Sequence, residues 1–237
     1  MSRTAVVVYN LGGPDSPEAV RPFLKNLFSD PMIIRLPGPL RWLVATMISR
    51  RRAPVAREIY AQIGGRSPIL PETEIQADAL QAALGDGYRV FIAMRYWHPF
   101  ADQVARDVAD WTPARVVLLP LYPQFSTTTT ESFLRIWKPA AEAAGLTAPS
   151  TEICCYPEEP GFISAVARTV DVAIAKIPDG APFRVLAEEQ AALAEIAMGD
   201  NDAALARLQG LMDDADAGRA LRDRAAQLIV ALGGTAE

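Results

Sequence analysis

The chain has 237 residues, half of them apolar and 22% charged, with a formal net charge of -5. That length and composition support a packed core in one large α/β domain or two small ones, and the acidic balance argues against general nucleic-acid binding. No run of about eighteen apolar residues is present, so no spanning helix is expected, and the N-terminus lacks the long apolar region of a signal peptide.

In chain order, "TAVVVYN" is a continuous apolar run bounded by "LGGPDS", as expected of a strand covered on both faces. Ser16 can cap a helix reaching about Phe28, with Pro17 at its first position. "SDPMIIRLPGP" reads as a proline-broken loop. "LRWLVATMISRR" reads as one amphipathic helix and Pro54 to about Gln62 as a second, ended by "IGGRSP". Glu72 to Leu84 is a further helix, with Ile75, Ala79, Leu80 and Leu84 on one face.

Strand–helix units follow: "YRVFIAM" with "FADQVARDVADW", "ARVVLLPLY" with "TTESFLRIWKPAAEAA", and "TEICCYP" with Pro160 to about Ile177. "PFRVL" would open a fifth strand. This alternation predicts an α/β, doubly wound parallel sheet, whose ligands bind beyond the carboxyl ends of its strands. Those ends carry "NLGGP", "RYWHP" and "LYPQFSTTTT". Cys154 and Cys155, the only cysteines, are expected to be buried free thiols in a reducing cytoplasm.

From Leu186 onward there is no aromatic residue, proline or lysine, and the negative charge of the chain concentrates here. Helices are expected over about 187–198, 201–213 and 218–232, with Asp200 or Asn201 capping the second. The spacing is weakly like one tetratricopeptide unit. The composition places a boundary between an α/β segment 1–185 and a short all-α tail 186–237. Glu188, Glu189 and Glu195 read as a solvated helix face.

"NLGGPDSPEAVRPFLKNLFSDPMIIRLP", "IGGRSPI", "AMRYWHP" and "LLPLYPQFSTTTTES" together resemble the amino-terminal half of bacterial ferrochelatase over about residues 1–185. The resemblance implies a Rossmann-like, chelatase-type fold. It also implies insertion of ferrous iron into protoporphyrin IX, the last step of haem synthesis, in the cytoplasm and without a resident cofactor. The partners are then porphyrin and ferrous iron. Coproporphyrin as the substrate, the oligomeric state and peripheral membrane contact stay open; "PGPLRWLVATMI" reads equally as an apolar cleft lip or as a core helix. No cysteine cluster that would hold an iron–sulfur centre is present.

The resemblance assigns porphyrin contacts to Leu11, Arg51, Arg52, Tyr60, Ser67, Arg95 and Tyr96. Arginine suits the propionate edge because its planar fork binds carboxylates in a bidentate way. Arg51 and Arg52 also read as a solvated helix terminus, and Leu11 as a core leucine before a glycine turn. His98, the only histidine, belongs to "RYWHP" and is expected to be structural, hydrogen-bonded beside Pro99. Ser126 to Thr130 form a hydroxyl-rich loop that could bond water or backbone.

The family's proton-accepting histidine lies in a "SAHGLP"-like motif after the strand that "PFRV" would open. Here that place reads "LAEEQ", and the acidic partner also has no counterpart. The expected catalytic set is therefore empty, with a ferrochelatase-like segment joined to a different helical tail between about Val185 and Ala187. A non-catalytic porphyrin-binding fragment and a helical-repeat interaction protein are the alternatives.

Overall fold

The computed structural model describes residues 3–178, 181 and 183–235. They divide into two compact units, Met1–Cys155 and Tyr156–Glu237. The change in composition at residues 185–186 falls inside the second unit.

The first unit is built on four parallel strands: β1 (Thr4–Asn10), β2 (Tyr88–Met94), β3 (Arg115–Pro120) and β4 (Ser150–Glu152), in the order β2-β1-β3-β4. β1 is central, and its side chains alternate between two cores as a period of two requires. Ala5, Val7 and Tyr9 face α4 (Ala101–Asp110) and α5 (Ser132–Ala143) through Val104, Val108, Phe133 and Trp137. Val6 and Val8 face α3 (Ile69–Leu84) through Ala77, Leu80 and Leu84. A third cluster joins α1 (Val20–Phe28) to α2 (Gly38–Ala61) around Phe23, Ala53 and Tyr96. The α/β doubly wound architecture is as expected.

Local departures from the sequence expectations have identifiable causes. α2 is one helix, with Pro54 inside it. The missing amide bond is tolerated because Ala45, Ser49 and Ala53 bury a continuous face leading into that position. On α3 the buried face is Thr73 and Ala77, and Ile75 is 64% exposed. The helix starts at Ile69, before Glu72, and the sheet takes the face carrying the small residues. β4 ends at Glu152, so most of "TEICCYP" lies outside the strand. Cys154 and Cys155 are free, as expected, but exposed.

The second unit contains α6 (Pro160–Ile174), α7 (Arg184–Met198), α8 (Asn201–Asp213) and α9 (Arg219–Ala231). The fifth strand expected at "PFRVL" is helical from Arg184; Pro182 lies outside the described residues. Apolar positions of α7, α8 and α9 recur at helical spacing, and Ala192, Leu208, Leu211, Leu221, Ala225 and Ile229 close one core. The Asp200 side chain accepts from the Ala203 amide at 3.2 Å, the expected cap.

The acidic residues of α7 are not all solvated. Glu189 and Glu195 are 5% and 8% exposed. Glu189 takes a forked pair of bonds from Arg224 at 2.6 and 2.8 Å. Arg207 reaches Glu188, Glu195 and Asp171. Arginines on α8 and α9 turn a face that reads as solvent-facing into paired, desolvated charge.

Candidate functional site

The strand order reverses between β1 and β3, which places the crevice beyond Asn10 and Pro120. The chain leaves β1 through Leu11, Gly12 and Gly13. Backbone pairing continues past the strands here: the Arg95 amide donates to the Asn10 carbonyl, and the Tyr96 amide to that of Leu11, both at 2.9 Å. Gly12 has φ of +82°, and a Cβ there would meet the Trp97 amide nitrogen at 3.0 Å. A Cβ on Gly13 would stand 2.3 Å from the Ser67 hydroxyl oxygen. Two glycines are thus needed to thread the turn between the "RYWHP" segment and Ser67.

Of the predicted contacts, Leu11, Tyr60 and Tyr96 share the α1–α2 cluster. Leu11 and Tyr60 are half-buried at its edge, while Tyr96 is fully buried. Burial pushes the Tyr60 hydroxyl above its usual range, so it is a neutral donor near pH 7. Ser67 lies against the glycine turn, and its amide donates to the Pro14 carbonyl at 2.7 Å. Arg51 and Arg52 are exposed on α2, ahead of buried Ala53 on the same helix. Among the described residues neither makes an ion pair or a side-chain hydrogen bond.

Arg95 and Tyr96 are held differently. Both turn toward Asp30, which follows α1 and is 2% exposed. Its Oδ2 accepts from Arg95 Nη2 at 2.9 Å, from Tyr96 Oη at 2.6 Å and from Ser132 Oγ. Its Oδ1 accepts from the Met32 amide at 2.7 Å, and Arg95 Nε also donates to Ser132 Oγ at 2.6 Å. The Tyr96 hydroxyl is therefore committed inside the protein, and Arg95 keeps only a partly exposed edge. That edge lines a cavity of about 380 Å³ with Asn26, Phe100 and Ile136. Burial raises the Asp30 carboxyl, but the bonds from Ser132, Tyr96 and Met32, with the Arg95 charge, pull it below its ordinary value. Burial and the Asp30 bond push the Tyr96 hydroxyl up to about 12.

Asp30 is the residue that sequence reasoning missed. Its local signal is a bond to the amide two residues on, the mark of an Asx turn. Its other partners come from the segment just past β2 and from the start of α5, far along the chain.

His98 is exposed and edge-on to Phe100, with ring centroids 4.5 Å apart. Aromatic packing stands where a hydrogen bond was expected. The hydroxyl-rich loop bonds to itself: Ser126 Oγ accepts from the Thr128 amide at 3.2 Å, and Thr127–Glu131 form one wide helical turn leading into α5. Among the described residues, no group of three or more His, Cys, Asp or Glu side chains could hold a metal ion. No helix among them is long and apolar enough to cross a membrane.

The sequence model of the ferrochelatase family matches residues 3–192. The ferrochelatase of Hyphomonas neptunium is 58% identical over 170 residues, covering 69% of this chain and 46% of that protein. That of Caulobacter vibrioides is 54% identical over 173 residues, 71% of this chain and 49% of the relative. That of Pelagibacter ubique is 42% identical over 189 residues, 78% and 54% of the two chains. The chain belongs to the ferrochelatase family, and it spans about half the length of the curated relatives it matches.

Proposed function

We propose that this member of the ferrochelatase family carries the porphyrin-anchoring half of a site for ferrous insertion into protoporphyrin IX. The observation that carries the reading is the pair Arg51 and Arg52, exposed and unpaired on α2, the helix that also supplies half-buried Tyr60. An unpaired arginine fork keeps its full capacity for a propionate. Leu11 and Tyr60 supply apolar surface for the ring, and the Tyr60 hydroxyl and Ser67 offer hydrogen bonds. Arg95 and Tyr96 act in this reading as wall residues, fixed through Asp30. Porphyrin and ferrous iron are substrates, so the chemistry calls for no resident cofactor, and a cytoplasmic setting suits it.

Metal insertion must remove two protons from the ring nitrogens. Imidazole fits that task because it titrates near neutrality. The one histidine, His98, packs against Phe100, and helix α7 occupies the place of the expected acceptor motif. These observations favour a second reading, in which this chain binds porphyrin without turning it over. In this reading a helical segment of separate origin follows the family segment, whose match runs past the compositional break at Leu186 to residue 192.

Porphyrin titration followed by fluorescence tests the anchor. Arg52→Ala removes a charge-assisted bond worth about 1.5–3 kcal/mol when shielded. With exposure discounted, binding weakens about tenfold. Unchanged affinity in Arg51→Ala, Arg52→Ala and the double variant would overturn the assignment. Anaerobic ferrous insertion separates the two readings: fluorescence loss above a protein-free control supports turnover, and saturable binding alone supports an anchor without chemistry.

A further inference from the structure

The exposed pair Cys154–Cys155 lies just past β4, at the carboxyl end of the sheet. Consecutive side chains on an extended strand point to opposite faces. Here the strand has ended at Glu152, and the two Sγ atoms stand 3.2 Å apart, hydrogen-bonded to each other. Among the described residues, neither side chain has another hydrogen-bond partner. The pair is thus a preassembled dithiol open to solvent.

Geometry narrows what such a pair can take. A disulfide needs the sulfurs at about 2.05 Å and its Cα atoms usually at 4.4–6.8 Å, whereas adjacent Cα atoms lie about 3.8 Å apart. Closing this pair directly is therefore strained. Two thiolates on tetrahedral zinc stand about 3.8 Å apart, which is near enough, but structural zinc asks for four ligands. No cluster of three or more candidate ligands is present among the described residues. A linear two-coordinate metal would need the sulfurs about 4.6 Å apart, on opposite sides of the ion. A small trivalent centre that takes two sulfurs on one side and carries its own third substituent suits the 3.2 Å separation and needs no further ligand from the protein.

We propose that Cys154 and Cys155 form a two-thiol binding site for a trivalent arsenical, R–As(OH)2, in which R is an organic group or hydroxyl. Two As–O bonds break and two As–S bonds form. Each thiol proton leaves with a hydroxide as water, and arsenic stays trivalent, so no oxidant or reductant is needed. The neighbouring Cys155 thiol holds that of Cys154 above its ordinary range. The site is independent of the porphyrin reading and survives its failure.

The test titrates the reduced chain with phenylarsine oxide and counts free thiols with a chromogenic disulfide. Both thiols should disappear at one equivalent, and return with a small dithiol but not with the same concentration of monothiol. Chelation by a second adjacent thiol strengthens binding by about 10²–10⁴-fold, so Cys154→Ser and Cys155→Ser should each weaken binding at least a hundredfold. Both side chains are exposed, and circular dichroism confirms that the variants fold. An arsenite arm distinguishes the sources: capture of both probes places inorganic arsenite in the ligand class, and capture of phenylarsine oxide alone confines it to organoarsenicals. Binding by either single-thiol variant within threefold of the parent, or thiols left reactive at several equivalents, would overturn the proposal.

Discussion

Replacing Asp30 with asparagine should remove a large share of the first unit's stability. The carboxylate is 2% exposed, and its Oδ2 alone receives Arg95, Tyr96 and Ser132. An amide leaves one group of the pair as a donor. Oriented to keep the Met32 bond, it turns its NH2 toward three donors and leaves the Arg95 charge without a counterion. Breaking a fully buried ion pair costs about 3–5 kcal/mol. The Arg95 side chain is 15% exposed, so water recovers part of this, and about 2–4 kcal/mol is expected. Chemical denaturation monitored by tryptophan fluorescence measures it, since Trp97 and Trp137 lie in the same unit. The carboxyl is depressed in the folded state, so its contribution is complete above its unfolded value of 3.8 and is lost as pH falls through the lower folded value. The gap between parent and variant should therefore narrow below about pH 4. A loss under about 1 kcal/mol at pH 7, or a gap that does not change with acid, would show that the network is not holding Arg95 and Tyr96 in place.

Other changes probe separate links. Arg207→Met leaves Glu195 buried without its partner, and should destabilise the second unit by about 2–4 kcal/mol in thermal unfolding, with the half-exposed Asp171 adding little. Gly13→Ala drives a methyl into Ser67 and should cost about 1–3 kcal/mol, most of it recovered when Ser67→Gly is added; no recovery would place the strain elsewhere. Glu189 is held below its ordinary value chiefly by its bonds from Arg224, so this pair's support of the helical unit is complete above about pH 4.5 and is lost as pH falls through the lower folded value. Glu189→Gln should flatten that acid limb of helicity measured by circular dichroism.

Much of the fold was legible because its signals are local. "TAVVVYN" could be assigned as a buried parallel strand from its unbroken apolar run, and α8 from Asp200 ahead of an apolar repeat. The position of the candidate site followed from strand–helix alternation alone. Where reading failed, the deciding partner was distant. "PFRVL" has the composition of a strand entry, yet among the described residues no neighbour strand claims it, and from Arg184 the chain continues into α7. Ile75 fits an apolar helix face, but α3 rotates to put Thr73 and Ala77 on the sheet.

The sequence by itself determined the family, the four parallel strands and most of their helices, and the residue types that the candidate site can offer: arginine forks, a tyrosine, and glycines at a turn. Only the tertiary structure decided which of them are free to act. Tyr96 and Arg51 are both polar residues inside family motifs, but one is spent on Asp30 and the other faces solvent. The reason is physical. A side chain's chemistry is local, whereas its burial and its hydrogen-bond partners depend on segments brought together by folding. Asp30 meets Arg95 and Ser132 only because β1 lies between β2 and β3.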